Sequence, residues 1–139
     1  MILESLSLAP KVFAQAPSRP LSRQEEYATK ALTQAPADLP DLPNYAGKKR
    51  FINGFLFPNR GPTYILVFHT DQDAKVLLDW YSQALSRTGW DITKANERYI
   101  RAVNKNNDNM CEVSASQLSA GMDVGMKSQL GIDYRVAKK

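Results

Sequence analysis

From residue 49 onward, five segments have the residue pattern of β-strands. They are residues 49–57, 63–69, 98–103, 111–116 and 130–136. The turn-forming sequence Pro-Asn-Arg-Gly-Pro at 58–62 separates the first two segments and predicts a hairpin. Residues 63–69 are apolar on both faces, which favours a central strand. The last two segments alternate apolar and polar residues, which predicts a sheet with one buried and one solvent-facing side.

A single helix is predicted between the second and third strands. Apolar residues recur at helical spacing from Ala74 to Leu85, and so form one apolar stripe. Thr70 is the expected N-cap. Gly89 is expected to end the helix, with Trp90 packing back behind it. The predicted fold is therefore α+β with the order ββαβββ, in which an antiparallel sheet of about five strands carries one helix on one face.

Residues 1–42 differ in composition from the rest of the chain. They contain five of the eight prolines and are expected to form a flexible Pro/Ala-rich arm ahead of a single domain at 43–139. Within this arm, residues 22–32 could form a short helix, with Ser22 as its N-cap and Glu25 as its capping-box partner. A helix of that length is marginal in water, so it would form only when docked on its own domain or on a partner.

The segment Phe13-Ala14-Gln15-Ala16 has the small-x-small pattern of a signal-peptidase site. The preceding residues include Glu4 and Pro10 and lack a basic start, which is unlike a signal peptide. Two interpretations stay open: a signal peptide that starts upstream of Met1, and a coincidence in a disordered arm. The sequence leaves open whether residues 1–16 are cleaved. It favours an extracytoplasmic, for example periplasmic, location, with a cytoplasmic one as the alternative.

Composition and charge exclude several classes of protein. The formal charge is +4, but basic residues cluster only at 48–50 and 138–139, so we expect no nucleic-acid binding. The lone Cys111 excludes an intramolecular disulfide framework and a multi-cysteine zinc site. No run approaches the roughly 18 apolar residues that a membrane helix needs, so no transmembrane segment is expected.

Part of the chain resembles a loosely defined group of small bacterial modules, mostly uncharacterised and often exported. The residues that carry the resemblance are Leu42-Pro43-Asn44-Tyr45-Ala46-Gly47, Tyr64, Thr70, Asp71, Trp80-Tyr81, Leu85 and Gly89-Trp90. The pattern of the group is roughly P-x-Y-P-G, strand, T-x-D, helix with F/W-Y and L, then G-W, and it covers about residues 42–104. This chain has Ala46 where those modules usually have proline. The resemblance implies a fold and an export route, but no catalytic residues.

No catalytic, metal or cofactor site is expected from the residues. His69, Cys111 and Asp133 could be drawn as a nucleophile, its base and an orienting group. However, no glycine-rich elbow or helix start surrounds Cys111, which lies at an inward strand position where a small buried thiol is ordinary. One histidine with nearby carboxylates offers too few metal ligands. The Asn-rich run at 104–109 lacks the glycine and glutamate of a calcium loop and predicts a hairpin turn.

The sequence indicates a non-enzymatic binding or accessory protein that docks on a larger protein assembly through its arm and one domain face. On the polar sheet face, Asp133 and the other charged side chains are either solvated or part of a binding platform. Trp80 lies off the apolar stripe of the helix. It is either a contact residue for a partner or packs against the arm. The candidate binding residues are Trp80, Tyr81, Tyr99, Arg101, Arg135 and His69. The alternative is a small-molecule or peptide-binding domain, or a weak hydrolase, with a pocket between helix and sheet near His69 and Cys111.

Overall fold

The computed structural model describes residues 29–36, 39, 41–58 and 61–137. They form one helix and seven strands in the order βββαββββ. The elements are β1 (Lys30–Leu32), β2 (Lys49–Phe57), β3 (Thr63–Thr70), α1 (Ala74–Arg87), β4 (Trp90–Ala95), β5 (Tyr99–Asn104), β6 (Met110–Gln117) and β7 (Ser128–Arg135). All seven strands belong to one antiparallel sheet with the spatial order β1-β2-β3-β7-β6-β5-β4.

The predicted α+β class and the single helix are confirmed for the described residues, but the prediction of five strands is wrong. The strand β1 has only three residues and lies where the arm and its short helix were expected; the rest of that predicted helix lies outside the described residues. The strand β4 follows the helix directly and is an edge strand, in which only Trp90 and Ile92 are not exposed. A register shift between Ile92 and Lys94 also breaks its alternation. A short strand and an edge strand bury few apolar residues, and both therefore lack a clear sequence pattern.

The helix ends where the sequence predicts but begins later. Its N-cap is Asp73, whereas Thr70 is the fully buried last residue of β3, with its hydroxyl 2.7 Å from that of Ser128. At the other end Gly89 has a φ of +89°, which favours glycine. Trp90 follows and is buried. The predicted helix stop is thus confirmed, and the predicted N-cap is corrected because Thr70 completes a strand pair instead.

One face of the sheet is covered, and two different elements cover it. The helix α1 contacts β4, β5, β6 and β7 through its buried stripe from Leu77 to Leu85. The rest of this face is covered by Leu39 and residues 41–45. We call these residues together the strap. Leu39, Leu42 and Tyr45 pack against the core cluster. The covered face is therefore divided between a helix and an irregular segment, part of which the sequence places in the arm.

The opposite face of the sheet, which we call the open face, has no helix over it among the described residues. Alternation along β5, β6 and β7 directs one side chain to the core and the next to this face. No helix in the described part of the chain is long and apolar enough to cross a membrane.

Candidate functional site

A row of five side chains crosses the open face from one half of the sheet to the other. The register places Phe55 of β2 opposite Ile65 of β3, and Ile65 opposite Asp133 of β7. The row continues through Glu112 of β6 to Arg101 of β5. With strands about 4.8 Å apart, it is about 19 Å long. Its first two members are apolar and its last three are charged, so the open face combines an apolar half with a charged half.

The apolar half contains large side chains that are partly exposed. Phe55 and Ile65 are 41% and 36% exposed, and Met110, near the charged half, is 39% exposed. Phe57 and Val67 flank them and are half-buried. Single exposed apolar side chains are common on protein surfaces, whereas several clustered on one face are typical of an interaction site.

The charged half is organised around one ion pair. The guanidinium of Arg101 donates two hydrogen bonds to Oε1 of Glu112, at 2.9 and 3.2 Å, and lies 5.4 Å from the ring centroid of Tyr99. Burial raises the pKa of Asp133, and the charge of Glu112 opposite it acts in the same direction. The arrangement can present a fixed arginine and a mixed-charge surface to a ligand.

Two depressions give the open face relief. One has a volume of about 290 Å³ and is lined by Thr63, Arg101, Met110, Cys111, Glu112, Asp133 and Arg135. The other, about 910 Å³, extends from the open-face residues Ser114, Ser116 and Gln129 toward the start of the helix at Asp73 and Lys75. Most residues that line the second are polar or charged, and Gly131 is among them; an added Cβ there would come within 2.6 Å of the Ser114 hydroxyl. The open face therefore has two depressions in addition to its apolar and charged halves.

Four of the predicted binding residues lie on this face, and three of them lie close together. Tyr99 and Arg101 are two residues apart on β5, with the guanidinium near the ring, and Arg101 and Arg135 line the same depression. His69 also faces this side, but at another position: its Nδ1 lies 2.5 Å from the carboxylate of Asp123, which also accepts a hydrogen bond from Arg50. The structure thus brings Tyr99, Arg101 and Arg135 together and leaves His69 in a separate cluster.

Asp123 was missed by sequence reasoning. It lies between Gly121 and Gly125, both with positive φ, in the connection from β6 to β7. Hydrogen bonds from Arg50 and then His69 lower its pKa to about 2. The carboxylate therefore ties a glycine-containing connection to two strands. Only a weak signal, an acidic residue in a loop, is present in the sequence.

The two predicted aromatic contact residues of the helix are packed against other parts of the protein. Trp80 is half-buried, with its ring edge-to-face against Tyr45 of the strap at 5.4 Å and against Tyr81 at 4.9 Å. Tyr81 is fully buried, so its side chain cannot contact a partner, which corrects that prediction. The Tyr81 hydroxyl makes no hydrogen bond of normal geometry among the described residues, although the backbone of Tyr45 is close enough to oppose the rise in its pKa that burial causes. Both rings therefore act mainly in packing the helix.

His69 and Cys111 do not share the pocket expected between helix and sheet. Cys111 points to the covered face, is 3% exposed, and burial followed by the charge of Asp41 raises its pKa to about 12. His69 lies on the open face, opposite Gln129 and, through it, Ser116. Ser116 is five positions from Cys111, or about 16 Å along the strand. No group of three or more potential metal ligands occurs within the described ranges.

The asparagine-rich turn has a partner that the sequence did not indicate. Residues 104–109 connect β5 and β6 as predicted, with Asp108 at a positive φ of 63°. The carboxylate of Asp41 accepts hydrogen bonds from the Tyr134 hydroxyl at 2.5 Å and from the Asn109 and Asn107 amides at 3.1 and 3.2 Å. Although burial acts in the opposite direction, these bonds together lower the pKa of Asp41.

The backbone of Asp41 is held as well. Its carbonyl oxygen accepts a hydrogen bond of 2.8 Å from the indole nitrogen of Trp90. Side chain and backbone of one residue therefore fasten the strap to the sheet and to the turn at 104–109, so Asp41 acts as a structural latch.

Comparison with known proteins adds no assignment to this geometry. A scan against protein-family models and searches of curated proteins and of solved structures each found no match for the chain.

Proposed function

We propose that this protein is a non-catalytic binding or accessory module that docks on a larger protein assembly through its open face. The observation that carries the proposal is the row from Phe55 to Arg101, which places exposed apolar side chains beside an ordered charged group. Interfaces between proteins combine these elements, with aromatic and arginine side chains supplying most of the binding energy.

The apolar half supplies a driving force for association. A phenylalanine side chain presents about 200 Å², so burying the exposed 41% of Phe55 removes about 80 Å² from water. At about 25 cal/mol per Å², this contributes about 2 kcal/mol. Ile65 and Met110 add comparable amounts, which supports a partner that covers the centre of the face.

The charged half supplies orientation. Arg101 is held by Glu112 and stacked near Tyr99, so a partner carboxylate would meet a guanidinium whose position is already restricted. Charged groups at the edge of an interface set the orientation and rate of association more than its affinity. Tyr99, Arg101 and Arg135 are accordingly the proposed polar contacts.

The residues before the described region are proposed to take part. The strand β1 lies at the edge of the sheet, where Ala31 is opposite Phe55, so the preceding chain starts beside the apolar half of the open face. An extracytoplasmic location is a further part of the proposal; it rests on the Phe13–Ala16 pattern and the family resemblance, with a cytoplasmic location as the alternative.

The proposal is tested by capture from a native extract with the full chain and two matched variants. Phe55→Asp places a charge in the apolar half, whereas Val76→Asp places the same charge on the helix, where Val76 is 47% exposed. We expect a protein to be retained by the wild type and by Val76→Asp and lost with Phe55→Asp. Circular dichroism checks that both variants are folded.

Two further chains separate the contributions. Arg101→Glu should weaken retention by reversing the charge of the proposed polar contact. A chain beginning at residue 29 keeps β1 and removes only the preceding residues, so its loss of the partner would assign a docking role to them. If the wild type retains no protein, or if Phe55→Asp retains as much as Val76→Asp, the open face is not the docking surface.

A further inference from the structure

A cavity lies on the covered side of the sheet, where the strap replaces the helix. Its volume is about 270 Å³. The residues that line the cavity include Leu39, Leu42, Lys49, Leu66, Phe68 and Ile132. Leu39 and Leu42 belong to the strap, and the other four residues belong to the sheet. The cavity is thus bounded by the strap on one side and by β2, β3 and β7 on the other.

One charged group stands in this apolar lining. Lys49 is half-buried, and its ammonium lies 5.0 Å from the ring centroid of Phe68 and donates a hydrogen bond to the side-chain oxygen of Asn44. Burial lowers the pKa of Lys49. None of the ion pairs among the described residues includes this ammonium. A cation with only an amide and a ring as neighbours gains from an anion placed beside it.

We infer that this cavity binds a small organic acid with an apolar body. The carboxylate pairs with the ammonium of Lys49, and the apolar body lies against Leu42, Leu66 and Phe68. At about 30 Å³ per non-hydrogen atom, the volume accommodates about nine such atoms. This corresponds to a medium-chain fatty acid or a simple aromatic acid. The site is separate from the open face and does not depend on the proposed docking function.

The latch at Asp41 pre-forms the cavity. Asp41 is held by Tyr134 and by the indole of Trp90, and the next residue along the strap is Leu42, whose side chain lines the cavity. Since the strap is fixed before a ligand arrives, little conformational freedom is lost on binding. The apolar lining with one polar end is the usual composition of a small-molecule site.

The test is a titration of the full chain with octanoate, an eight-carbon acid, followed by isothermal calorimetry and by amide chemical shifts. We expect saturable binding at one site, with shifts at Leu42 and Lys49. Octanol, which has the same chain without the charge, should bind at least tenfold more weakly. This comparison uses only the wild-type protein, so it does not depend on the folding of any variant.

Variants then assign the charge. Lys49→Met should weaken octanoate binding at least tenfold, Lys49→Arg should retain it, and Lys75→Met, which removes an exposed lysine of the helix, should leave it unchanged. The inference is overturned if octanoate does not saturate, if octanol binds equally well, or if Lys49→Met binds octanoate with the affinity of the wild type.

Discussion

Substituting Asp41 by alanine removes the carboxylate that fastens the strap to the sheet. In the folded protein it accepts hydrogen bonds from Tyr134 at 2.5 Å, from Asn109 at 3.1 Å and from Asn107 at 3.2 Å. A fourth donor, Asn104, lies 3.4 Å away, beyond the usual range of such bonds. The substitution therefore deprives three donors of their acceptor, and the strap of its side-chain anchor.

The expected loss follows from which donors are buried. Tyr134 and Asn109 are 3% and 8% exposed, whereas Asn107 is exposed and can be solvated by water. A hydrogen bond to a charged group contributes about 1.5–3 kcal/mol. Two such bonds would give about 3–6 kcal/mol, and because Asp41 is itself partly exposed we expect the lower end, about 3 kcal/mol. This is a large part of the roughly 5–15 kcal/mol that stabilises a typical domain.

Urea unfolding followed by tryptophan fluorescence measures this loss. Trp90 is a suitable reporter because its indole donates to the Asp41 carbonyl oxygen at 2.8 Å. Asp79→Ala, at an exposed position of the helix, is the control and should change the free energy of unfolding by less than about 0.5 kcal/mol. Tyr134→Phe removes the donor of the shortest bond. The double-mutant cycle of Asp41→Ala and Tyr134→Phe should give a coupling of about 1 kcal/mol or more.

The pH dependence of the free energy of unfolding provides a second test of the role of Asp41. The folded-state pKa of Asp41 is below its ordinary value of 3.8, so its contribution is fully present above pH 4 and is lost as the pH falls through the folded-state pKa. The difference in stability between wild type and Asp41→Asn should therefore shrink below pH 4. A loss of less than about 1 kcal/mol for Asp41→Ala at pH 7 would refute the latch as a major source of stability.

Three further outcomes are expected. Cys111 should react with a thiol reagent at pH 8 only at the rate of unfolding, because burial raises its pKa to about 12; fast labelling of the native protein would contradict this. Tyr81→Phe should leave the free energy of unfolding equal or higher, since it removes a buried hydroxyl that makes no hydrogen bond of normal geometry among the described residues; a clear loss in urea unfolding would show that the backbone of Tyr45 satisfies the hydroxyl. Asp123→Asn should destabilise the protein above pH 4, with the difference from wild type shrinking as the pH falls from 4 through 2, because Arg50 and His69 lower the pKa of Asp123 to about 2. A difference that is undiminished at pH 2 in thermal unfolding would assign the effect to a cause other than charge.

The sequence by itself determined the helix and those strands that are buried on one side, because such burial imposes a regular spacing of apolar residues. The stripe from Leu77 to Leu85 and the stop at Gly89 predict the helix, and the structure has it there. The alternation near 111–116 and 130–136 likewise identifies β6 and β7 and places Arg135 on the polar face. These signals are local, because the period of the backbone decides which side chains share a face.

Tertiary structure decided the features that depend on pairing between distant segments. The strands β1 and β4 lie at the two edges of the sheet and are recognised only through their neighbours. The insertion of β7 between β3 and β6 places Ile65 beside Asp133 and so creates the row on the open face. Hydrogen-bond pairing across the sheet joins residues far apart in the chain, and no local pattern encodes the partner.

Tertiary structure also decided which candidate site residues lie together. A lone cysteine and a lone histidine could be drawn together from the sequence, yet strand alternation and register place Cys111 and His69 on opposite faces. Conversely, Asp41 and Tyr134 are 93 positions apart and meet at 2.5 Å. Polar groups find each other when burial leaves them no water as an alternative partner. Which groups lose their water is decided only when the strap and the sheet pack together.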